Sequence, residues 1–292
     1  MKIGIVGYGS IGQRHAANLL QLGHTVVIYD PLGPRDVKLE CDLYDSDVEA
    51  VIVATPTPFH EGPLRACIER GKHVLIEKPI SVSIGTLPAL LQAADDKGLV
   101  VMMGNNLRFH PCVDQCRRWL KEGLIGNVIW ANFICAQANS KYTESVTLNW
   151  GAHEVDMALH LFGPVKRVAC ASADPTGKIV DFVLIHQNLI RSSFHLDYVT
   201  PIEIREAWIA GETNNISIEF LKRQIGVGKW AQGMGGSYDD DYLAEAKAFV
   251  ERIGNRLTLG ATGWNGLETL KVLLDVETKA RDEVNQISEK LS

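Results

Sequence analysis

The chain lacks long hydrophobic runs and a large excess of charge of either sign. No stretch of its 292 residues approaches the ~18 uninterrupted apolar residues of a membrane-spanning helix. The N-terminal MKIGIVGYGSIG has no apolar segment leading to a small-residue cleavage site, so it does not resemble a secretory signal. A formal net charge of -6 predicts no basic surface for nucleic acid. We therefore expect a cytoplasmic protein whose partners include neither nucleic acid nor membrane.

The chain also lacks a cysteine framework. Six cysteines are scattered at positions 41, 67, 112, 116, 135 and 170. Cys112 and Cys116 have the i, i+4 spacing of a helix and do not form a CxxC pair. We expect free thiols in a reducing compartment, with no disulfide and no metal site.

What the first part of the chain does contain is an alternation of short apolar runs and helical patterns. The runs are Lys2–Val6, Thr25–Tyr29, Ala50–Ala54, His73–Ile76 and Leu99–Met103, and the helical patterns lie at 10–22, 61–70 and 83–97. Right-handed crossovers between such strands place helices on both faces of a parallel sheet. The sequence therefore predicts an α/β fold, a doubly wound Rossmann sheet over residues 1–120.

The second part, residues 121–292, has a different pattern. Strand candidates follow one another at Val128–Ala136, Val165–Ala173, Ile179–Gln187, Ile190–Val199, Arg205–Gly211 and Ile216–Ile225, with helix candidates at 111–122, 149–162, 241–253 and 264–283. Short polar connections between them favour an α+β domain with a predominantly antiparallel sheet. The five glycines within Gly226–Tyr238 predict a mobile loop, after which Asp239–Asp241 cap the next helix.

A glycine-rich turn follows the first predicted strand and opens the first helix. It has the G-x-G-x-x-G pattern, with Gly7, Gly9, Ser10, Ile11 and Gly12 as the residues expected to contact a dinucleotide. Glycines allow a close approach to a pyrophosphate, and the helix N-terminus offers free N–H groups. The alternative is a glycine turn that only packs.

Asp30 closes the second strand, where a carboxylate accepts hydrogen bonds from the ribose hydroxyls of NAD and repels the 2′-phosphate of NADP. NAD is therefore the expected cofactor, although the nearby Arg35 leaves NADP open. Thr55 and Pro56 follow the third strand and are predicted to border the nicotinamide, the alternative being a proline-stiffened loop.

The chain resembles the Gfo/Idh/MocA oxidoreductase family in several ordered motifs. Besides the glycine turn these are Thr55-Pro56 with His60, Gly71-Lys72-His73-Val74 leading into Glu77-Lys78-Pro79, Arg108-Phe109-His110-Pro111, Gly123-Leu124-Ile125-Gly126, and His153-Glu154-x-Asp156. The resemblance covers the whole chain, strongly over 1–165 and by layout beyond. It implies that residues 121–292 bind substrate and form oligomers.

The resemblance also implies site residues. Lys78 is expected to stabilise a developing alkoxide, with Pro79 a candidate cis-proline, and His153 is the expected base. The cofactor-binding set is Gly7, Gly9, Ser10, Ile11, Gly12, Asp30, Thr55, Pro56, His60, Glu77, Lys78 and Arg108, and the catalytic set is Lys78, His153, Asn149 and Asp156.

His153, Asp156 and His160 fall on one face of a predicted helix. From the residues alone, a metal site, a buried core face and a general base all stay open, and the resemblance favours His153 as the base. The family usually has an aspartate where this chain has Asn149. Three readings follow: His153 acts alone, Asp156 replaces the aspartate, or the usual chemistry is lost.

The predicted function is an NAD-dependent oxidoreductase that moves a hydride between nicotinamide and a secondary hydroxyl or keto group of a sugar, cyclitol or nucleotide sugar. A non-catalytic NAD(H)-binding sensor is the alternative, and a lyase or glycosidase using NAD transiently is a third. Substrate specificity is expected in loops 137–148 and 226–240. A homo-dimer or homo-tetramer is expected, formed through the open face of the second sheet.

Overall fold

A computed structural model describes residues 1–30, 44, 47–138, 145–255 and 260–291. The chain divides into two compact units: Met1–Phe109 with Ser237–Leu270, and His110–Gly236 with Lys271–Ser292. The contiguous limits expected from the sequence, 1–120 and 121–292, differ from this division. The reason is that residues 237–270 contribute a strand and helical segments to the first unit.

The first unit is built on a six-stranded sheet. Its strands are β1 (Lys2–Val6), β2 (Thr25–Tyr29), β3 (Ala50–Val53), β4 (His73–Ile76), β5 (Val101–Met103) and β14 (Ala261–Thr262). Their order is β14-β5-β4-β3-β1-β2, with β1 to β5 parallel and β14 antiparallel to β5. The predicted Rossmann-type sheet is thus confirmed, and β14 is an addition that two residues were too few to signal.

Helices of the first unit pack on this sheet around a common core. They are α1 (Ser10–Gln21), α2 (Glu61–Glu69), α3 (Leu87–Asp96), α7 (Tyr238–Asn255) and the first residues of α8 (Gly263–Leu291). Phe249 of α7 is buried in one cluster with Ile5 of β1 and Leu19 of α1. Apolar burial of this kind is the main stabilising term of a fold. It joins the latest segment of the unit to the earliest.

The N-terminus of α7 differs from the expectation that Asp239–Asp241 cap it. The Asp240 backbone N–H donates to Ser237 Oγ (3.3 Å), while the Ser237 backbone N–H donates to Asp240 Oδ2 (2.6 Å). Ser237 is therefore the N-cap, paired reciprocally with an acid three residues later.

The second unit is built on an eight-stranded sheet. Its strands are β6 (Val128–Ala136), β7 (Val165–Ala173), β8 (Ile179–His186), β9 (Arg191–Asp197), β10 (Ile204–Gly211), β11 (Asn215–Glu219), β12 (Gln224–Val227) and β13 (Trp230–Gly233). The order is β13-β12-β11-β10-β6-β9-β8-β7, and only the β6–β9 pair is parallel. The predominantly antiparallel sheet is confirmed.

Three helices of the second unit lie early in its sequence: α4 (Pro111–Lys121), α5 (Val146–Asn149) and α6 (Gly151–Phe162). The helix predicted at 149–162 begins at Gly151, and Asn149 ends the short helix that precedes it. Below them the rings of Phe133, Phe194 and Phe182 stack in a row, with centroids 5.0 and 4.5 Å apart. All three rings are buried, so the row lies on the covered face of the sheet.

Two sequence expectations are wrong in the last strands. The predicted strand Ile216–Ile225 is split between β11 and β12, because the chain turns with Arg223 at a φ of 50°. The predicted mobile loop from Gly226 is largely the hairpin of β12 and β13, which turns at Gly228 with a φ of 59°. Glycine there serves a tight turn, for which a positive φ is needed.

Two further expectations concern what the described residues contain. No disulfide joins the cysteines among the described residues, which are Cys67, Cys112, Cys116, Cys135 and Cys170, and Cys41 lies outside these residues. Among the described helices, none combines the length and the apolar composition that crossing a membrane requires.

Candidate functional site

The polar motifs of the first unit meet at one edge of its sheet. Gly7, Asp30, Thr55, Glu77 and Gly104 each follow directly or closely the end of a strand from β1 to β5. Because these strands are parallel, their carboxyl ends share an edge. The strand order reverses beside β1, and ligands of open α/β sheets bind in the crevice at such a reversal.

The glycine turn forms a cradle that side chains would fill. Gly7 has a φ of 92°, and a Cβ atom there would lie 2.6 Å from the Ala54 carbonyl oxygen. A Cβ at Gly12 would lie 2.0 Å from the carbonyl oxygen of Gly7. Gly9 has no atom within 4 Å of its would-be Cβ, so one side of the turn is open at the N-terminus of α1. This cradle fits a dinucleotide pyrophosphate.

Asp30 is held against the glycine turn. Its Oδ2 atom accepts a hydrogen bond from the backbone N–H of Tyr8, at 2.6 Å. The carboxylate therefore lies beside the cradle, where it can meet the ribose of a bound dinucleotide. Arg35, which left NADP open, lies outside the described residues.

His60 joins two of the turns at this edge. Its side chain is buried, with Nδ1 2.9 Å from the Pro79 carbonyl oxygen and Nε2 2.8 Å from the Thr55 carbonyl oxygen. The ring thus holds the turn after β3, including Pro56, against the turn after β4. Contact of Thr55, Pro56 and His60 with a cofactor stays a prediction.

Glu77 and Lys78 differ in exposure although they are adjacent. Glu77 is buried, and its carboxylate lies 2.7 Å from His15 Nε2 and accepts a hydrogen bond from the Lys78 backbone N–H at 3.3 Å. Lys78 is half-buried and precedes Pro79 through a cis peptide bond, as the resemblance implied. Burial opposes ionisation of Glu77, but the hydrogen bond and attraction of His15 outweigh it and lower the pKa of Glu77.

Arg108 contacts the chain itself in the described structure. Its Nη1 donates to the Gly260 carbonyl oxygen at 3.3 Å. Burial, and then the charge of Arg108, lower the pKa of Arg252 on α7. A contact of Arg108 with cofactor stays a prediction.

In the second unit, α6 carries His153, Asp156 and His160. Both His153 and Asp156 are buried on this helix. Asn149 is buried at the end of α5, and its Nδ2 donates to the Tyr198 hydroxyl at 2.7 Å. The Trp150 ring packs edge-on against the Tyr198 ring, with centroids 4.6 Å apart. Tyr198 therefore fixes the segment that leads into α6.

A buried ion pair anchors α6 to β10. Glu154 is fully buried, and its Oε1 atom accepts hydrogen bonds from Arg205 Nε (2.9 Å) and Nη2 (2.6 Å). The other oxygen, Oε2, is buried without a hydrogen-bond partner among the described residues. Burial raises the pKa of Glu154, and Arg205 offsets this only in part.

Four residues that shape these sites were missed from the sequence: His15, Tyr198, Arg205 and Glu245. Of these four, only Glu245 could have been predicted to be buried from the sequence pattern around it. It falls between Tyr242, Ala246 and Phe249, an apolar stripe of α7 at helical spacing. An acid on the buried side of such a stripe indicates a partner elsewhere in the fold.

Comparisons with known proteins agree with this geometry. Residues 1–105 match the family model described as an oxidoreductase family with an NAD-binding Rossmann fold. The scyllo-inositol 2-dehydrogenase (NADP(+)) IolW of Bacillus subtilis is 29% identical over 195 residues, 58% of this chain and 53% of that protein. The 2,7-anhydro-N-acetylneuraminate hydratase of Mediterraneibacter gnavus is 29% identical over 179 residues, 57% of this chain and 47% of that protein. The chain thus matches about half the length of these relatives.

Among solved structures, the fold is similar to the UDP-N-acetylglucosamine 3-dehydrogenase GnnA from Acidithiobacillus ferrooxidans. The TM-score is 0.86 at 20% identity, with 96% of this chain and 97% of that chain covered. At this identity the likeness shows the fold, which agrees with the two sheets described above.

Proposed function

We propose that this chain is an NAD-dependent dehydrogenase of a sugar, cyclitol or nucleotide sugar. It belongs to the Gfo/Idh/MocA oxidoreductase family, whose model its residues 1–105 match. One observation carries the proposal: the glycine cradle after β1, Asp30 after β2 and Lys78 after β4 share one edge of one parallel sheet. A cofactor site and a proton-holding side chain at one edge are what alcohol oxidation needs. The relatives named above, an inositol dehydrogenase among them, support the substrate class.

The cofactor is proposed to bind along that edge. Gly7, Gly9 and Gly12 with the N–H groups of Ser10 and Ile11 would hold the pyrophosphate, and Asp30 the adenosine ribose. Thr55, Pro56, His60, Glu77, Lys78 and Arg108 complete the proposed set around the nicotinamide end. When bound, NAD accepts the hydride of a secondary alcohol or returns it to a ketone.

The chain's own part in the reaction is proton handling. We assign to Lys78 the stabilisation of the substrate oxygen as negative charge develops on it, since a half-buried ammonium is a strong local donor. We assign to His153 the removal of the hydroxyl proton, because imidazole titrates near neutral pH. Asn149 and Asp156 are proposed to orient the substrate and His153, with Asn149 limited to hydrogen bonding because an amide exchanges no proton at neutral pH.

Substitution of the two proton-handling residues tests this assignment. Lys78→Ala and His153→Ala are each expected to lower kcat by ~10²-fold or more, since acid–base groups contribute that much. NADH binding, measured by fluorescence titration, should survive in both variants. Lys247→Ala, an exposed lysine of α7, is the matched control and should leave kcat unchanged. Normal turnover in both site variants would contradict the assignment, and NADH binding without any turnover by the wild type would favour the non-catalytic sensor.

The choice of NAD over NADP has its own test. Asp30→Ser removes the negative charge that would repel a 2′-phosphate, and we expect the ratio of NADPH to NADH affinity to rise at least about tenfold, for which ~1.4 kcal/mol suffices. Calorimetric titration with both nucleotides measures the ratio. An unchanged ratio would show that specificity is set elsewhere.

A second candidate, a lyase-type or hydratase reaction with transient use of NAD, is favoured by the relative named as a hydratase and by Asn149 in place of the family's aspartate. Substrate loss and NADH absorbance followed in the same reaction separate the two. A dehydrogenase forms one NADH per substrate consumed, whereas the second candidate shows turnover without net NADH.

The proposed partner is a second copy of the chain, in a cytoplasmic homo-dimer or homo-tetramer. Trp130 of β6 and Trp208 of β10 are each 45% exposed and lie diagonally opposed on the face of the second sheet away from the phenylalanine row. Exposed aromatic pairs of this kind favour an interface. Light scattering of Trp130→Glu and Trp208→Glu tests it: both should shift the protein towards monomer.

A further inference from the structure

Three buried ionisable side chains from separate elements meet within the first unit. His15 comes from α1, Glu77 from the end of β4 and Glu245 from α7, and a nitrogen or oxygen atom of each lies within 4.8 Å of those of the other two. None of the three is exposed beyond 9%. The group joins the helix of the glycine cradle, the strand that leads to Lys78 and a helix from the far part of the sequence.

Several polar atoms in this group have no hydrogen-bond partner among the described residues. They are His15 Nδ1 and both carboxylate oxygens of Glu245. An ionised carboxylate buried in this way costs several kcal/mol, and a second anion as close as Glu77 raises the cost. One of the two acids therefore has to be neutral, or a cation has to balance them.

The groups around the cluster decide which acid is neutral. His15 and the Lys78 backbone N–H both contact the Glu77 carboxylate, and the charge of Lys78 also favours its ionised form. Glu245 has no comparable support: burial first, and then the charge of Glu77, raise the pKa of Glu245, against a smaller effect of the Asn105 backbone amide.

Among the described residues, the other titratable neighbours of this cluster add no cation beside Glu245. Tyr242 of α7 is buried, and burial and then the charge of Glu77 raise its pKa, so its hydroxyl stays neutral. Tyr238 pairs with the Tyr242 hydroxyl at 3.2 Å. The Arg14 guanidinium lies 4.9 Å from the centre of the Tyr242 ring and pairs with Asp239.

The space around Glu77 is fitted to its carboxylate. A Cβ atom at Gly104, just after β5, would lie 3.3 Å from the Glu77 carboxyl group, tighter than ordinary contact. Glycine at this position therefore leaves room for the Glu77 carboxylate beside the end of β5.

We propose that Glu245 is a neutral carboxylic acid in the folded protein, so that the Glu77 carboxylate, which His15 contacts, is the single anion of this cluster and positions Lys78. Glu245 is a positioning residue, since it acts only through Glu77, and Glu77 acts on the substrate only through Lys78. The role given to Lys78 rests on the proposed function, whereas the protonation of Glu245 does not.

Infrared spectroscopy tests the protonation directly. The wild type at pH 7 should show the carbonyl band of a protonated carboxylic acid, and in Glu245→Gln this band should decrease by the contribution of one acid. Glu251→Gln, which removes a partly exposed glutamate from the same helix, is the control and should keep the band. A wild type without the band would overturn the proposal. So would a divalent metal found at one equivalent in the purified wild type and lost in Glu245→Gln, because the cluster would then be a metal site.

Kinetics test the positioning role. Glu77→Gln should lower kcat at least about tenfold through misplacement of Lys78. It should also move the alkaline limb of the pH–rate profile to lower pH, because loss of a nearby negative charge lowers the pKa of a lysine. Glu245→Gln keeps a neutral group of the same shape and should lose less than about threefold. A lowered Tm in Glu77→Gln with an unmoved pH profile would contradict positioning, and a protein with no dehydrogenase activity at all would leave the infrared result intact.

Discussion

The two units differ in how they stabilise a buried carboxylate. In each, an acid stands next to the residue assigned to proton handling: Glu77 beside Lys78, and Glu154 beside His153. Both acids are buried and both meet a basic side chain, His15 at 2.7 Å and Arg205 at 2.6 Å. Yet the pKa of Glu77 lies below its usual value, and that of Glu154 lies above it.

The difference follows from how the donors are distributed over the two oxygens of each carboxylate. Glu77 is contacted on one oxygen by His15 and on the other by a backbone N–H. Glu154 receives both bonds of Arg205 on a single oxygen, while its second oxygen has none among the described residues. Two donors on one oxygen thus stabilise the anion less than one donor on each oxygen, because the unpaired oxygen keeps its desolvation cost. The stability of a buried ionised carboxylate therefore depends on whether both of its oxygens accept hydrogen bonds.

Removal of His15 should have the largest effect on this comparison. His15→Leu leaves the Glu77 carboxylate buried without its nearest partner, and we expect a loss of about 3 kcal/mol in the free energy of unfolding. Urea denaturation measures it. The double variant His15→Leu/Glu77→Leu, which removes the charge as well, should recover part of the loss. If it does not, packing of the imidazole explains the effect.

Removal of Arg205 should cost less, about 2 kcal/mol, because Glu154 can take up a proton when its partner is lost. The pKa of Glu154, already raised, rises further in Arg205→Leu. The folded variant then binds more protons than the unfolded chain, so its stability falls as pH increases above the usual Glu pKa. Urea denaturation should therefore show a larger deficit against wild type at pH 8 than at pH 5. Equal deficits would mean that the pair contributes through packing alone.

Removal of one tyrosine hydroxyl from each unit should give the smallest difference in stability. Tyr198→Phe removes the acceptor of the buried Asn149 amide, and a lost hydrogen bond of this kind costs about 1 kcal/mol. Tyr238→Phe in the first unit removes the contact of a half-exposed hydroxyl with Tyr242 and should cost less. Thermal unfolding of both variants checks the order, and a reversal would show that Asn149 finds another partner.

The sequence predicted what is periodic or local. Lys2–Val6, Thr25–Tyr29, His73–Ile76, Val128–Ala136 and Val165–Ala173 have the bounds expected from their apolar runs. The glycine turn was equally readable, since its strand, turn and helix are consecutive. Contacts between residues far apart in sequence could not be predicted. Glu245 lies 168 positions after Glu77, as their numbers show, and no local pattern joins them. The predicted role of loop 137–148 in substrate specificity stays untested for a different reason, because residues 139–144 lie outside the described residues.

The division of the first unit into two segments has a consequence for the order of synthesis and folding. The segment Met1–Phe109 is synthesised first. The core of its unit also includes Ala246 and Phe249 of α7, and its sheet includes β14, all of which are synthesised much later. Glu77 is thus translated long before Glu245, and in the interval the apolar side of α1 that receives α7 has no cover. Contacts so distant along the chain slow folding and leave early surfaces prone to association. A nascent chain halted before Ser237 should therefore recruit chaperones more strongly than one that extends past Leu270.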